Sequence, residues 1–138
     1  MVAALLCVLG VFAWSRGGNH ELPPAFAARQ SVADAAAMSE KDGRPVIALY
    51  TAEWCGPCAT LLSGPFRDPR VETLFGRVHA AVVDCTRGHP PGDPYGVEGY
   101  PTLLEIREGR AVSRLVGAAD TGSVLAWLEQ VVARSGGR

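Results

Sequence analysis

Net charge is almost absent from this sequence. Thirteen Lys and Arg face fourteen Asp and Glu, which leaves −1 at neutral pH. That balance excludes the basic footprint of a nucleic-acid-binding protein and leaves no acidic tail. Cysteine is scarce as well: Cys7, Cys55, Cys58 and Cys85 are the full set. Cys7 lies in a leading apolar stretch, so a folded domain holds three. Three is a poor disulfide framework and a natural count for one redox pair plus an odd thiol. A long apolar run is lacking too. Residues 1–14 carry no charge, but fourteen helical residues cover only roughly 21 Å, short of the ~30 Å hydrocarbon core of a membrane. There is no internal repeat and no low-complexity segment. What is present is an apolar fraction of 48%, which excludes disorder. The 138 residues suffice for one domain with a real core and not for two.

The leading stretch has the length of a signal-peptide apolar region. No Lys or Arg precedes it, and the Ala25-Phe26-Ala27 site falls well beyond it, after Pro23-Pro24. Residues 1–26 are expected to form an export signal or short membrane anchor with its tether, attachment running through residues 1–14. The alternative is a buried N-terminal strand or helix. Residues 27–134 are expected to form the folded domain.

Trp54-Cys55-Gly56-Pro57-Cys58 is the stretch the chain is built to present. Cysteines three positions apart at the start of a helix share one face, with Cα atoms about 5–6 Å apart, inside the window of a disulfide. If Cys55 sits at the helix N-terminus, its thiolate faces unpaired N–H groups and the positive end of the helix dipole. That lowers its pKa and makes it a nucleophile. Cys58, one turn in, is shielded and acts second.

The flanking pattern supports this placement. Ser31, with Asp34 three residues on, caps a helix that Gly43 ends. Residues 46–50 are a continuous apolar run, the mark of a central strand covered on both faces. A helix follows from Cys58 to about Ser63, where Gly64-Pro65 stops it. Asp68-Pro69 opens a short helix to Phe75, and residues 78–84 form the next strand. Residues 87–99, with three prolines and four glycines, read as loop. Residues 102–107 and 111–116 form a hairpin about Glu108-Gly109. Val124, Trp127, Leu128 and Val131 make a helical stripe that faces a sheet. The order predicts an α/β domain with a mixed four- to five-stranded sheet and helices on both faces.

Two other uses of the cysteines are open to the residues alone. Cys85 and His89 complete a Cys₃His zinc set on paper, but the strand-to-helix context with Trp54 and Pro57 favours a redox pair. A c-type haem site needs His after the second cysteine, and Ala59 stands there. Cys85 is expected to be a small buried residue, and His20, His79 and His89 surface residues. Pro101 is either a strand-edge proline or, if its peptide bond is cis, a residue beside the cysteines that opens backbone groups to an extended substrate.

With those residues in view, the chain resembles the thioredoxin superfamily. Trp54-Cys55-Gly56-Pro57-Cys58 matches its active-site motif letter for letter, and Gly99-Tyr100-Pro101-Thr102 matches its cis-proline segment. Gly109 and Gly117 fit the glycine positions around the last hairpin. The helix before Gly43-Arg44-Pro45-Val46 and the 65–71 segment are similar to the DsbD C-terminal domain and related extracytoplasmic members. The resemblance implies the thioredoxin fold and a thiol–disulfide oxidoreductase. Cys55 and Cys58 would be the catalytic pair, supported by Trp54, Gly56, Pro57 and Glu53, with Tyr100, Pro101 and Thr102 as the substrate-binding segment. It implies no cofactor and no metal. Partners would be protein disulfide or dithiol substrates and a membrane or thioredoxin-like electron donor, outside the cytoplasm in the periplasm or cell envelope. Pro57 resembles the reducing members. Three positions depart from the family. Its buried aspartate six residues before the first cysteine is Leu49 here, the lysine paired with it aligns with Ala80, and the lysine after the second cysteine is Ala59. Glu53 or water is then the remaining proton acceptor. A redox-weak binding module on the same fold and an ordinary cytosolic thioredoxin are the competing functions.

Overall fold

A computed structural model of the chain describes residues 20–136. The expected leader, the first residues of the tether (16–19) and Cys7 lie outside the described residues. Among the described residues no helix is long and apolar enough to cross a membrane.

The elements run α1 (Val32–Asp42), β1 (Val46–Thr51), α2 (Gly56–Ser63), α3 (Pro69–Phe75), β2 (His79–Asp84), β3 (Thr102–Arg107), β4 (Arg110–Val116) and α4 (Thr121–Ser135). Short 3-10 turns occupy Pro24–Phe26 and Pro65–Arg67. The sheet has four strands in the order β2-β1-β3-β4. β1 pairs with β2 in parallel and with β3 antiparallel, and β3 with β4 antiparallel. This is the mixed α/β sheet of the thioredoxin fold.

Local chemistry sets the boundaries. The Ser31 hydroxyl accepts from the Asp34 N–H at 3.1 Å and caps α1. Gly43 closes that helix at φ +74°, a left-handed geometry that glycine adopts without penalty. Glu108 and Gly109 both have positive φ, as a two-residue type I′ hairpin turn requires. α2 begins at Gly56, two residues earlier than its apolar pattern suggests, because Cys55 itself is the cap.

β1 is buried at every position, and its alternate side chains enter two cores. Ile47 and Leu49 point into one, with Leu61, Phe75, Leu103 and Leu128. Val46, Ala48 and Tyr50 point into the other, with Cys55, Cys58, Cys85 and Leu104. The continuous apolar run is the consequence of those two covered faces. α4 is held to the sheet by its apolar stripe and by Glu105, a fully buried carboxylate. Arg107 donates to it at 2.6 Å, Ser113 at 2.7 Å, and Arg134 from α4 also donates. Burial pushes the Glu105 carboxyl up, but the hydrogen bonds from Arg134, Ser113 and Arg107 outweigh it and hold it below the usual range.

Two expectations are corrected. His79 is buried rather than on the surface. Its Nε2 lies 2.9 Å from both Asp42 oxygens, joining β2 to the end of α1. The domain also begins earlier than residue 27. Phe26, read as part of the tether, is fully buried, stacked on Phe66 at 5.8 Å and edge-on to Phe75 at 4.9 Å. Leu22 packs against the same core. A single aromatic among prolines carries no periodicity, so nothing local marks it as core.

Removing so large a buried ring leaves a cavity. We expect Phe26→Ala to lower unfolding free energy by about 3–5 kcal/mol, read by urea denaturation. A loss under about 1 kcal/mol would place Phe26 outside the folded body.

Candidate active site

The site stands where β1 ends. After Thr51 the chain turns, the Cys55 N–H donates to the Ala52 carbonyl at 3.2 Å, and α2 starts. Cys55 is the N-cap. Its Sγ accepts from the Cys58 N–H at 3.2 Å, one of the donors a helix N-terminus leaves unpaired. Cys55 and Cys58 are joined as a disulfide with Cα atoms 5.2 Å apart. Cys58 is wholly buried and Cys55 is 4% exposed. Gly56 and Pro57 are exposed. Pro57 falls in the first turn of α2, where a missing N–H costs no helix bond. Trp54, 65% exposed, stands beside the pair.

The second wall comes from the start of β3. Tyr50 of β1 is paired with Thr102 of β3, so the residues before Thr102 lie just past the end of β1. The Tyr100–Pro101 peptide is cis, and the Tyr100 carbonyl oxygen lies 3.6 Å from the Cys55 Sγ. The Pro101 carbonyl accepts from the Gly117 N–H at 2.8 Å, which ties this segment to the end of β4. The Tyr100 ring meets Trp54 edge-on at 6.0 Å. Its hydroxyl pKa is pushed up to about 12, by burial first and then by the Cys85 thiol beside it.

The structure brings Cys55, Cys58, Trp54, Gly56, Pro57, Tyr100 and Pro101 together. Thr102 and Glu53 are placed differently from the sequence expectation. Thr102 is 2% exposed, and its hydroxyl donates to the Gly99 carbonyl at 2.8 Å, so its side chain braces the turn instead of facing a substrate. The Glu53 side chain is exposed and lines a shallow surface cavity with Asp84, Thr86 and Arg87. Its backbone N–H is held by the Thr86 hydroxyl at 3.0 Å. Leu49 and Ala80 belong to the core on the opposite face of the sheet from the cysteines. Cys85 is buried in the same core as the pair, its Sγ 3.7 Å from the Val83 carbonyl. Burial raises the Cys85 thiol pKa, against a lowering contribution from the Tyr100 hydroxyl. The paper zinc set is divided: Cys55 and Cys58 bond to each other, and His89 Nδ1 turns to the Tyr100 hydroxyl at 2.8 Å.

Four neighbours of the site, Asp84, Thr86, His89 and Asp93, were not legible as such in the sequence. The Thr86 carbonyl accepts from the Trp54 indole N–H at 3.0 Å. The Thr86 hydroxyl and N–H both donate to Asp84, which holds that carboxyl below its usual range. His89 and Asp93 reach Tyr100 and Tyr50 from the loop. Only the clustering of glycines in that loop hinted at a shaped segment.

A family model described as thioredoxin matches residues 31–130. The chain belongs to the thioredoxin family. It is 34% identical to a thioredoxin of Chlamydia caviae over 84 residues, which are 59% of this chain and 76% of that one. It is also 34% identical to a mitochondrial thioredoxin of Mus musculus over 88 residues, 64% of this chain and 52% of that one. Among solved structures, a thioredoxin from Thermus thermophilus superposes with a TM-score of 0.67 at 28% identity, covering 78% of this chain and 88% of that one. The reduced DsbD C-terminal domain of Neisseria meningitidis gives 0.61 at 22% identity, covering 69% and 88%; at that identity the likeness is one of fold. This thioredoxin-fold redox protein therefore carries a disulfide-capable Cys55–Cys58 pair in the family's active-site motif.

The Thr86 prop yields an expected outcome. Thr86→Val deletes the hydroxyl that serves Glu53 and Asp84 and should cost about 1–2 kcal/mol in urea denaturation. Asp84 has a depressed folded pKa, so its contribution is present above the unfolded aspartate value of about 3.9 and is lost as pH falls through the lower folded value. The variant should show a shallower acid loss of stability in that range. An unchanged acid profile would contradict the assignment.

Proposed function

We propose that this protein is a thiol–disulfide oxidoreductase that works in the reducing direction on protein disulfides. The observation that carries the reading is the position of the Cys55 Sγ, at the N-terminus of α2 and 3.6 Å from the Tyr100 carbonyl that precedes cis-Pro101. In the dithiol state the helix end favours the Cys55 thiolate over the thiol. That thiolate attacks one sulfur of a substrate disulfide. The substrate S–S bond breaks, one substrate thiolate leaves, and a mixed disulfide forms. Cys58, once deprotonated, attacks the Cys55 Sγ, re-forms the internal bond and releases the second substrate thiolate. Two electrons pass to the substrate, and a separate dithiol donor must return them. The family's aspartate position is filled by Leu49, and the Glu53 side chain is exposed, so water is the acceptor we assign to the Cys58 proton.

A location outside the cytoplasm, with a membrane-bound or thioredoxin-like donor, belongs to the same proposal. Its support is the apolar, uncharged stretch at residues 1–14 followed by a Gly- and Pro-containing tether. Fusing the chain to a reporter active only outside the cytoplasm tests this; a silent reporter would favour an ordinary cytosolic thioredoxin.

The reaction itself is tested by insulin reduction. The full chain should accelerate precipitation of the insulin B chain, and Cys55→Ser should abolish the effect. Cys58→Ser should stop at the mixed disulfide, visible by mass as an insulin-chain adduct that dithiothreitol removes. Activity retained in Cys55→Ser would overturn the assignment of the nucleophile.

A further inference from the structure

The loop between β2 and β3 is shaped with care. Gly88, Gly92 and Gly96 have φ of +125°, +77° and +64°, conformations open to glycine. They fold the loop back over the end of β1. Arg114 of β4 ties it down by donating to the carbonyls of Tyr95 at 3.0 Å and Gly96 at 3.4 Å. Val97 is buried beneath it.

The folded-back loop sets His89 between two tyrosines. Its ring lies 6.0 Å from that of Tyr50 and 6.1 Å from that of Tyr100, with planes within 16° and 18°. The Tyr50 hydroxyl donates to Asp93 Oδ1 at 2.6 Å. Asp93 Oδ2 lies 3.3 Å from His89 Nε2, and the Asp93 side chain is only 8% exposed. That oxygen is buried and makes no well-directed hydrogen bond. A buried carboxylate oxygen in that state is unfavourable on its own, and the imidazole is the group placed to answer it. A carboxylate at Nε2 favours the proton on that nitrogen and leaves Nδ1 free to accept. The Tyr100 hydroxyl is there, 2.8 Å away. From Tyr100 the contacts continue to Trp54 through the ring and to the Cys55 Sγ through the carbonyl.

We propose that His89 and Asp93 are positioning residues for disulfide exchange. Asp93 orients the imidazole, His89 fixes the Tyr100 ring against Trp54, and the Tyr100–Pro101 backbone is thereby held beside Cys55 as the wall on which a protein disulfide is laid. The proposal rests on reading Cys55 and Cys58 as an exchange pair. Its consequence is selective. A polypeptide substrate needs the wall, whereas a small disulfide needs only the sulfur.

Two His89 variants separate the contacts. His89→Gln keeps a polar group toward Asp93 and loses the one at the Nδ1 position; His89→Asn does the reverse. Steady-state reduction of insulin and of hydroxyethyl disulfide by the full chain, driven by dithiothreitol and corrected for the uncatalysed rate, is measured for both. Tyr100→Phe and the His89→Gln/Tyr100→Phe double variant complete the set. His89→Gln should raise KM for insulin about three- to tenfold, the scale of one lost hydrogen bond, with kcat and the hydroxyethyl disulfide rate within about twofold. His89→Asn, which keeps a group toward Tyr100 but loses the orienting contact to Asp93, should raise KM by a smaller factor than His89→Gln, and a KM equal to the parent's would remove Asp93 from the proposal. Tyr100→Phe should raise KM for insulin by a factor similar to that of His89→Gln, and the double variant should raise it no further. Equal slowing on both substrates, additive losses in the double variant, or no change in KM would each overturn the proposal. A parent protein that reduces neither substrate would instead overturn the exchange reading on which it rests.

Discussion

The end of β1 is the constraint on which the site depends. β1 is paired on both sides and buried on both faces, so its last residue is among the most firmly placed points in the fold. Everything reactive is measured from there. Within four residues the chain reaches Cys55, and the antiparallel neighbour β3 starts opposite, which places cis-Pro101 across from the same sulfur. A one-residue slip in the β1–β3 register would turn every core side chain of one strand to the wrong face. The register is therefore held by the whole core, and the placement of Tyr100 beside Cys55 follows from it.

Support for the reactive loop is polar and comes from the neighbouring strand end. Thr86 holds Glu53 through its hydroxyl and Trp54 through its carbonyl, and its own amide donates to Asp84. On the other side the Tyr50–His89–Tyr100 ring stack, with Asp93 behind it, braces the cis-proline segment. At Leu49 and Ala80 the sheet face is apolar, and its one buried carboxylate among the described residues, Glu105, stands opposite Ile47 with Arg107 and Arg134 as partners. This thioredoxin-family chain thus lacks a charge pair at Leu49 and Ala80 and holds buried carboxylates elsewhere, Glu105 on β3 and Asp93 in the loop after β2.

Much of the fold was legible in the sequence because its signals are local. Ser31, Gly43, Asp68, Gly76 and Asp120 are cap residues at helix ends, and the helices they flank stop and start there. The apolar run of β1 declared its burial. The succession of elements along the chain after it followed from turn residues and stripes. Other features escaped because their cause is tertiary. Phe26 is core only because Phe66 and Phe75 converge on it. Glu105 is tolerated inside a strand only because Arg107 and Arg134 reach it from elsewhere. Within the site, the Cys55–Cys58 pair and Pro101 were visible through motif and spacing. Thr102 was assigned to the substrate from its neighbour's role, yet a side chain on the inward register of β3 has no route to solvent. His89 and Asp93 looked like polar loop residues, since nothing short of the folded loop shows that they face two tyrosines.

The central claim is that the Cys55–Cys58 pair works as an electron donor. The reduction potential of the full chain, found by equilibrating it against dithiothreitol or glutathione couples and quantifying the dithiol form, tests it most directly. The account predicts a single two-electron transition near the thioredoxin value of about −270 mV. A value near −120 mV, where the strong oxidant DsbA lies, or the absence of a reversible transition, would contradict it.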